Sequence, residues 1–533
     1  MKKTKRYFLA LILSVGTISL AQDGSLDTTF DMDGKVVTLF GTNLSSVHDL
    51  AVQPDGKIIA GGSVFATTSI YNQFALARYN QDGSLDATFG AGGKAVSDFS
   101  DLRLEFSAMA LQNDGKIVAV GSSHTFNTLS YEQFEIMRFN TNGTIDTSFG
   151  VNGKVLPITF GDVNNMAAVI IQTDGKIIVG GDTKTYGDSA NSDFVVMRYL
   201  TNGILDPDFG HNGIVITSLQ ADDVVKAITV QDDGKILLAG SSRAEYDPVL
   251  GYYAQDFAVV RYNSNGSLDA TFGTDGKFLA QGNEEFDSAL LVKSQSDGNI
   301  IVAGSALPAG APNNFLMMRL LPNGELDSSF GTGGVVIKSL SFGDVTAMEM
   351  QPDGKILLAQ YHGTGGTSSA DIQLMRFLTT GAPDLTFNDD GMVTTDFINQ
   401  NSQAHSIAVQ NDGKILIGGG SGNPIHVDFA LARFNSTIRL GNSQFNIAES
   451  FSVYPNPVQQ IINLSFTIKE PQQLSIDLYD MGGRKIIRLL NQKTFTEGRN
   501  SQKLELPSTL STGIYFLKIS DRSHTSAFKI VKE

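Results

Sequence analysis

One short segment occurs seven times along the chain at an almost constant step, and this limits the fold more than any other feature. Asp23–Phe30 (DGSLDTTF) comes back as DGSLDATFG at Asp82, NGTIDTSFG at Asn142 and NGILDPDFG at Asn202. It returns again as NGSLDATFG at Asn265, NGELDSSFG at Asn323 and TGAPDLTFN at Thr380. The steps are 59, 60, 60, 63, 58 and 57 residues. A second landmark, Gln-x-Asp-Gly-Lys-Ile, keeps the same period, with its acid at Asp55, Asp114, Asp174, Asp233, Asp297, Asp353 and Asp412 (Asn299 replaces the lysine once). A third is an apolar run ending in Arg78, Arg138, Arg198, Arg261, Arg319, Arg376 or Arg433. A period this long marks a unit that cannot bury its apolar face alone and stacks on copies of itself.

Each unit holds four strand-like runs, which in the first are Lys35–Phe40, Val47–Gln53, Lys57–Ser63 and Phe74–Asn80. They are short, rich in Val, Ile, Ala and Phe, and bounded by Gly, Asn and Asp. Pro54-Asp55-Gly56 is a tight turn, so the second and third runs are expected to form a hairpin. No helical period of adequate length occurs in a unit. An all-β, seven-bladed β-propeller over residues 22–435 is the expected fold. An open β-solenoid is the alternative; a ring is favoured because it leaves only short, protected edges and no capping unit is visible at either end.

These units resemble the delta-60 repeats of bacterial secreted proteins, which are grouped with β-propeller repeats. The resemblance spans about 23–435 and rests on the LDxTFGxxGK and QxDGKI signatures. It implies a fold far more than an activity.

An Asp follows each strand-ending Arg by eight residues, giving the pairs Arg78–Asp86, Arg138–Asp146, Arg198–Asp206, Arg261–Asp269, Arg319–Asp327 and Arg376–Asp384. These read as structural clasps. Arg433 and Asp27 are left over at the two ends, and ring closure is expected to bring them together. The segment Asn80–Asp86 also resembles the calcium loop of some propeller blades, but Arg78 stands where the first carboxylate would be, and a guanidinium there repels a cation. No metal and no cofactor is expected.

Strand parity divides the connections. Turns 2→3 and connectors 4→1 carry the near-constant sequences and share one face. The other face takes loops that vary, such as Val64–Gln73, Ser122–Gln133, Asp182–Asp193, Ser241–Asp256, Ala306–Asn314 and Gln360–Asp371. Variable loops on a rigid scaffold are where binding usually lives. The candidate ligand-binding residues there are Tyr71, His124, Tyr131, Tyr186, Tyr246, Tyr252, Tyr253, Tyr361, His362 and His426, whose rings suit stacking on sugar or peptide. Ordinary loop decoration is the competing reading.

The absence of cysteine rules out disulfides, zinc-cysteine sites and thiol catalysis. A net charge of −16 argues against a nucleic-acid partner. No HExxH, nucleophile elbow or phosphate loop is present, so no catalytic residue is assigned. A glycosidase carboxylate pair leaves no mark in sequence. An enzyme acting on extracellular polymer, hydrolase or lyase, therefore stays open as an alternative, as does a passive structural surface protein.

Both ends read as addresses. Lys2, Lys3, Lys5 and Arg6 precede a short apolar stretch ending at Ser19-Leu20-Ala21, which reads as a signal peptide over 1–21 cleaved before Gln22. The stretch is too short for a membrane span, and no other segment is a candidate. After Asn435 the repeat fails. Residues 436–450 read as a linker, and 451–533 as a small Ig-like β-sandwich with runs at Ile461–Ile468, Leu474–Tyr479, Lys485–Leu490, Gln502–Leu506, Ile514–Ile519 and Ala527–Val531. Tyr454-Pro455-Asn456-Pro457, Leu478–Ile486 (LYDMGGRKI) and Gly513–Ile519 (GIYFLKI) together resemble the C-terminal sorting domain of the type IX (Por) secretion system of Bacteroidetes. That resemblance implies the secretion machinery as partner of 451–533. It also implies export through the periplasm, removal of the domain, and a secreted or surface-attached product. The expected role is binding or adhesion, with an extracellular glycan or protein as ligand.

Overall fold

The computed structural model describes residues 22–41, 44–65, 72–97, 103–124, 132–155, 163–184, 191–243, 255–280, 286–307, 314–339, 345–363, 370–397, 401–423, 426–437, 451–468, 471–480, 485–508, 510–520 and 525–533. The signal peptide and most of the linker lie outside them. Every regular element among the described residues is a β-strand.

The first unit is a propeller whose blades are offset from the sequence repeat. The first blade runs antiparallel from Ser45–Val52 through Ile58–Phe65 and Asn72–Tyr79 to a short outer strand, Lys94–Val96. A blade thus takes the second, third and fourth runs of one unit and the first run of the next. In the second blade the described part of the outer run, which ends at Val155, bridges Lys154 to Met137. The seventh blade, Asn401–Val409, Ile415–Asn423 and His426–Phe434, receives its outer strand from the start of the chain: Lys35–Thr38 pairs antiparallel with it, Lys35 opposite Ala432 and Thr38 opposite Phe429.

The strand leading into each QxDGK turn is innermost. These strands touch one another in sequence around the ring, and Asn401–Val409 returns to contact Ser45–Val52. Apolar cores lie between neighbouring blades: one joins Ile59 and Phe74 to Phe106 and Ile117, another joins Val47 and Ile58 to Phe429 and Leu431. Each innermost strand also carries a bulge, so the register skips His48 in the first blade and His405 in the seventh. The strand beside it must come very close there. A Cβ on Gly419 would sit 1.7 Å from the Gln403 carbonyl oxygen, so only glycine fits that approach.

The propeller extends to Thr437, beyond the last apolar run. Ser436 and Thr437, read from sequence as the start of the linker, are held by hydrogen bonds to Arg376 and Asp23.

The described residues of 451–533 form two sheets. One orders Phe451–Tyr454, Ile461–Ile468 and Gly498–Glu505; the other orders Lys485–Phe495, Gln472–Asp480, Gly513–Ser520 and Thr525–Lys532. Ile462, Leu464 and Phe466 of the first share a core with Leu474, Ile476, Leu478 and Leu517 of the second. Period-2 alternation explains this directly, as Ile461–Ile468 buries every second residue. The strand Phe451–Tyr454 was not foreseen, because the Tyr-Pro-Asn-Pro run masked it.

Candidate functional site

On the constant face of the propeller the recurring residues meet. Arg78 Nε donates to Asp86 Oδ2 at 2.7 Å, and the same bond occurs at Arg138–Asp146, Arg198–Asp206 and Arg261–Asp269 (2.7 Å each) and at Arg319–Asp327 and Arg376–Asp384 (2.8 Å each). Arg433 and Asp27 lie at 2.7 Å although 406 residues separate them. The other carboxylate oxygen is held locally; Asp86 Oδ1 accepts from Thr88 N at 3.0 Å and from its hydroxyl at 2.7 Å. Each guanidinium lies over the Phe of the same connector, for example 4.7 Å from the Phe89 ring centroid.

The clasp also reaches the next blade. Arg78 Nη1 donates to the Thr141 carbonyl at 2.6 Å and Arg261 Nη1 to the Pro322 carbonyl at 2.5 Å, while Arg433 Nη1 donates to the Gln81 carbonyl. A further partner escaped the sequence reading. The turn lysines Lys57, Lys116, Lys176, Lys235 and Lys414 approach the clasp carboxylates Asp86, Asp146, Asp206, Asp269 and Asp27 at 2.7, 2.9, 2.9, 3.1 and 2.8 Å. Their recurrence at the repeat period was the available signal. With its oxygens committed to Arg, Lys and the backbone N–H two residues on, joined by a hydroxyl at all but Asp206, each of these carboxylates is fully employed in the scaffold.

These charges set the acid response. Burial works to raise Asp27, but the Lys414 ammonium, the Thr29 donors and the Arg433 guanidinium outweigh it and hold the carboxyl at about 2. Asp86, Asp146, Asp206, Asp269 and Asp327 are likewise lowered. A folded pKa below the unfolded one means that the unfolded chain binds more protons in between. The stabilisation is therefore complete above the ordinary value of 3.8 and is lost as pH falls through the lower folded values. At the axis, burial and then His405 push His48 down to about 4, which withdraws stability as pH falls below 6.5. Burial pushes Asp49 up to about 6, an effect of opposite sign in an overlapping window. Thermal melts are thus expected to change little between about pH 6.5 and 4 and to fall steeply below about pH 4. Melting temperatures that hold steady to about pH 2.5 would contradict ionised clasps.

The axis carries a second polar group that the sequence reading did not identify. Asp49 accepts from Met109 N at 2.9 Å, Leu50 N at 2.8 Å and Ser406 Oγ at 3.2 Å, so it joins the first, second and seventh blades. Lys293 of the fifth blade pairs with Glu349 of the sixth at 2.8 Å and also attracts the Asp49 carboxylate. His48 and His405 stack with ring centroids 5.4 Å apart. On the constant face a cleft of about 440 Å³ opens at the seam of the seventh and first blades, with Asp55, Asp82, Asp412, Lys414 and Arg433 among its lining.

Of the candidate ligand-binding residues, Tyr71, Tyr131, Tyr186, Tyr246, Tyr252 and Tyr253 lie outside the described residues. His124 and His362 fall in Ile117–His124 and Ile356–Gly363 by backbone position. Tyr361 is half-buried in the latter strand, and His426 is exposed at the head of His426–Phe434.

Against known families, the segments 53–89, 112–149, 172–209, 231–272, 295–330, 351–387 and 410–437 match the model described as "Domain of unknown function (DUF5122) beta-propeller". Residues 452–533 match the "Secretion system C-terminal sorting domain". The molecule is an all-β repeat propeller followed by a secretion tail. Its seven repeats are those of the DUF5122 β-propeller family, and its tail is a sorting domain of the type IX (Por) route, which directs export to the cell surface or the medium. Among curated proteins none matches. Among solved structures the chain is similar to a protein of unknown function from Dyadobacter fermentans DSM 18053, at 11% identity and a TM-score of 0.40, over 63% of this chain and 95% of that one. It is also similar to the α-L-arabinofuranosidase of Fusarium graminearum with arabinobiose, at 10% identity and a TM-score of 0.40, over 75% and 97%. Neither likeness extends to an activity. Among the described residues no helix is long and apolar enough to cross a membrane.

Proposed function

We propose that the propeller, residues 22–437, forms a binding and adhesion module, displayed or released by type IX secretion after the leader 1–21 and the tail 451–533 have been removed. One observation carries this reading: antiparallel order gathers the constant connections on one face, where the clasps lock them, and leaves the connections that differ between blades on the other. A surface free to vary on a locked scaffold suits recognition. The aromatic residues of those loops, with Tyr361 and His426, supply stacking groups for an extracellular glycan or protein.

The test is a glycan and surface-protein array probed with the secreted protein. Saturable binding without product release is expected. Shortening the variable loops to Gly-Ser should abolish it with the melting temperature unchanged. A second reading, an enzyme acting on extracellular polymer, has the axial Asp49 and Glu349 in its favour. Release of product from a polysaccharide panel, lost in Glu349→Gln, would replace the first reading by the second. Deleting 451–533 is expected to leave the protein in the periplasm, as cell fractionation would show.

A further inference from the structure

We infer that the signal peptide must be cut before the ring closes, because the closed ring takes the residues just past the cleavage junction, Asp23 and Gly24, into its seam. This rests on the expected cleavage between Ala21 and Gln22. The residues just after that bond are bound on several sides. The Gln22 carbonyl accepts from Ser25 N at 3.0 Å and Ser25 Oγ at 2.6 Å, and Gln22 Nε2 donates to Asp389 Oδ2 at 3.0 Å. The Asp23 carbonyl accepts from Asn388 N at 3.0 Å. The Asp23 carboxylate accepts from Arg376 Nη2 at 2.9 Å, Thr437 N at 2.8 Å and Thr437 Oγ1 at 2.6 Å. Gly24 N donates to the Asn435 carbonyl at 2.8 Å. Arg376 is itself fully buried, so its bond to Asp23 is anchored in the core, while the bonds of Gln22 and Thr437 lie at the surface.

A peptidase binds its substrate as an extended strand that reaches several residues past the scissile bond. A bond beside segments held in this way is cut from the opened state only, at a rate set by the population of that state. Freeing Asp23 breaks its charge-assisted bond to Arg376 and its bonds to Thr437, which keeps that population low. The order is therefore translocation, cleavage, closure. A ring that closes early keeps its leader. The same segment that makes closure possible is the one the peptidase must reach first.

The experiment uses the full-length precursor, folded in detergent and incubated with purified signal peptidase, with the new N-terminus read by mass spectrometry. A second precursor carries a short Gly-Ser spacer between Gln22 and Asp23, which moves the junction away from the seam and leaves the Asp23 latch in place. The folded precursor is expected to be cut at least about tenfold more slowly than the spacer form, the two having equal melting temperatures. A third precursor, Asp23→Ala with Thr437→Ala, should be cut faster than wild type at the same bond. Equal rates for wild type and spacer form overturn the inference, as does cleavage mapped well upstream of Gln22. The outcome does not depend on ligand binding, so it stands or falls apart from the adhesion reading.

Discussion

An Arg376→Met variant is expected to lose about 3–5 kcal/mol of stability, the loss that follows when one partner of a buried ion pair is removed. Arg376 is fully buried and serves two carboxylates, Asp384 at 2.8 Å and Asp23 at 2.9 Å, with Ser436 and Thr386 as further partners. Methionine fills much of the volume and returns none of the charge, so both carboxylates keep their desolvation and lose that cation. Arg319 is the internal control. It makes the same clasp to Asp327, but the two side chains are 11% and 12% exposed, so water can take over part of the lost interaction and Arg319→Met should cost clearly less. Adding Asp384→Asn to Arg376→Met is expected to recover part of the loss, because it removes an orphaned charge. Urea melts of the four proteins decide the matter. Equal losses at Arg376 and Arg319 would mean that the clasps act by packing over Phe387 and Phe330 rather than by charge.

What could be read from the sequence follows from how local each feature is. The Arg and Asp of a clasp stand eight residues apart because one ends a strand and the other begins the next connector, so the repeat displays them side by side. The turn lysine of the same clasp is 29 residues from its Asp in the first blade, and the two meet only when the blade forms. Asp49, Lys293 and Glu349 were hidden for another reason. The repeat does not say which strand lines the axis, and until the inner strand is known an acid two or four residues before the Gln looks like any half-buried polar residue. The usable clue was a departure: Ala108, Ala168, Ala227 and Ala347 fill the place that Asp49 takes in the first blade. The loop aromatics are the opposite case. They stand where the repeat breaks, so no alternation assigns their direction. Closure lay between these extremes. The unpaired Arg433 and Asp27 pointed to it, but nothing marked Asp23 as a second tie, since its partner Arg376 already has an Asp of its own.

Deleting residues 22–38 should have the largest effect of all. This segment gives the seventh blade its outer strand, its connector and its clasp acid. Leu26 bridges to Phe434, Asp27 N donates to the Arg433 carbonyl at 2.8 Å, and Arg433 N donates to the Gly34 carbonyl at 2.9 Å. Phe30 and Val36 are buried in it, at 0% and 6% exposure. Each such side chain contributes about 1.5–3 kcal/mol, and the orphaned Arg433 adds about 3–5 kcal/mol of loss. Even with imperfect additivity, the sum approaches the whole stability of an ordinary domain, about 5–15 kcal/mol. The truncated protein is therefore expected to lose its cooperative melt. It should also elute as oligomers, because the bare edge of His426–Phe434 is a template for another chain. A synthetic peptide covering 22–40 should restore a monomer whose melting temperature rises with peptide concentration, since the peptide binds the folded ring alone. A monomeric truncated protein with an unchanged melt would show instead that the inner strands hold the ring by themselves, and that the chain ends merely decorate a circle already closed at its axis by Asp49 and Ser406.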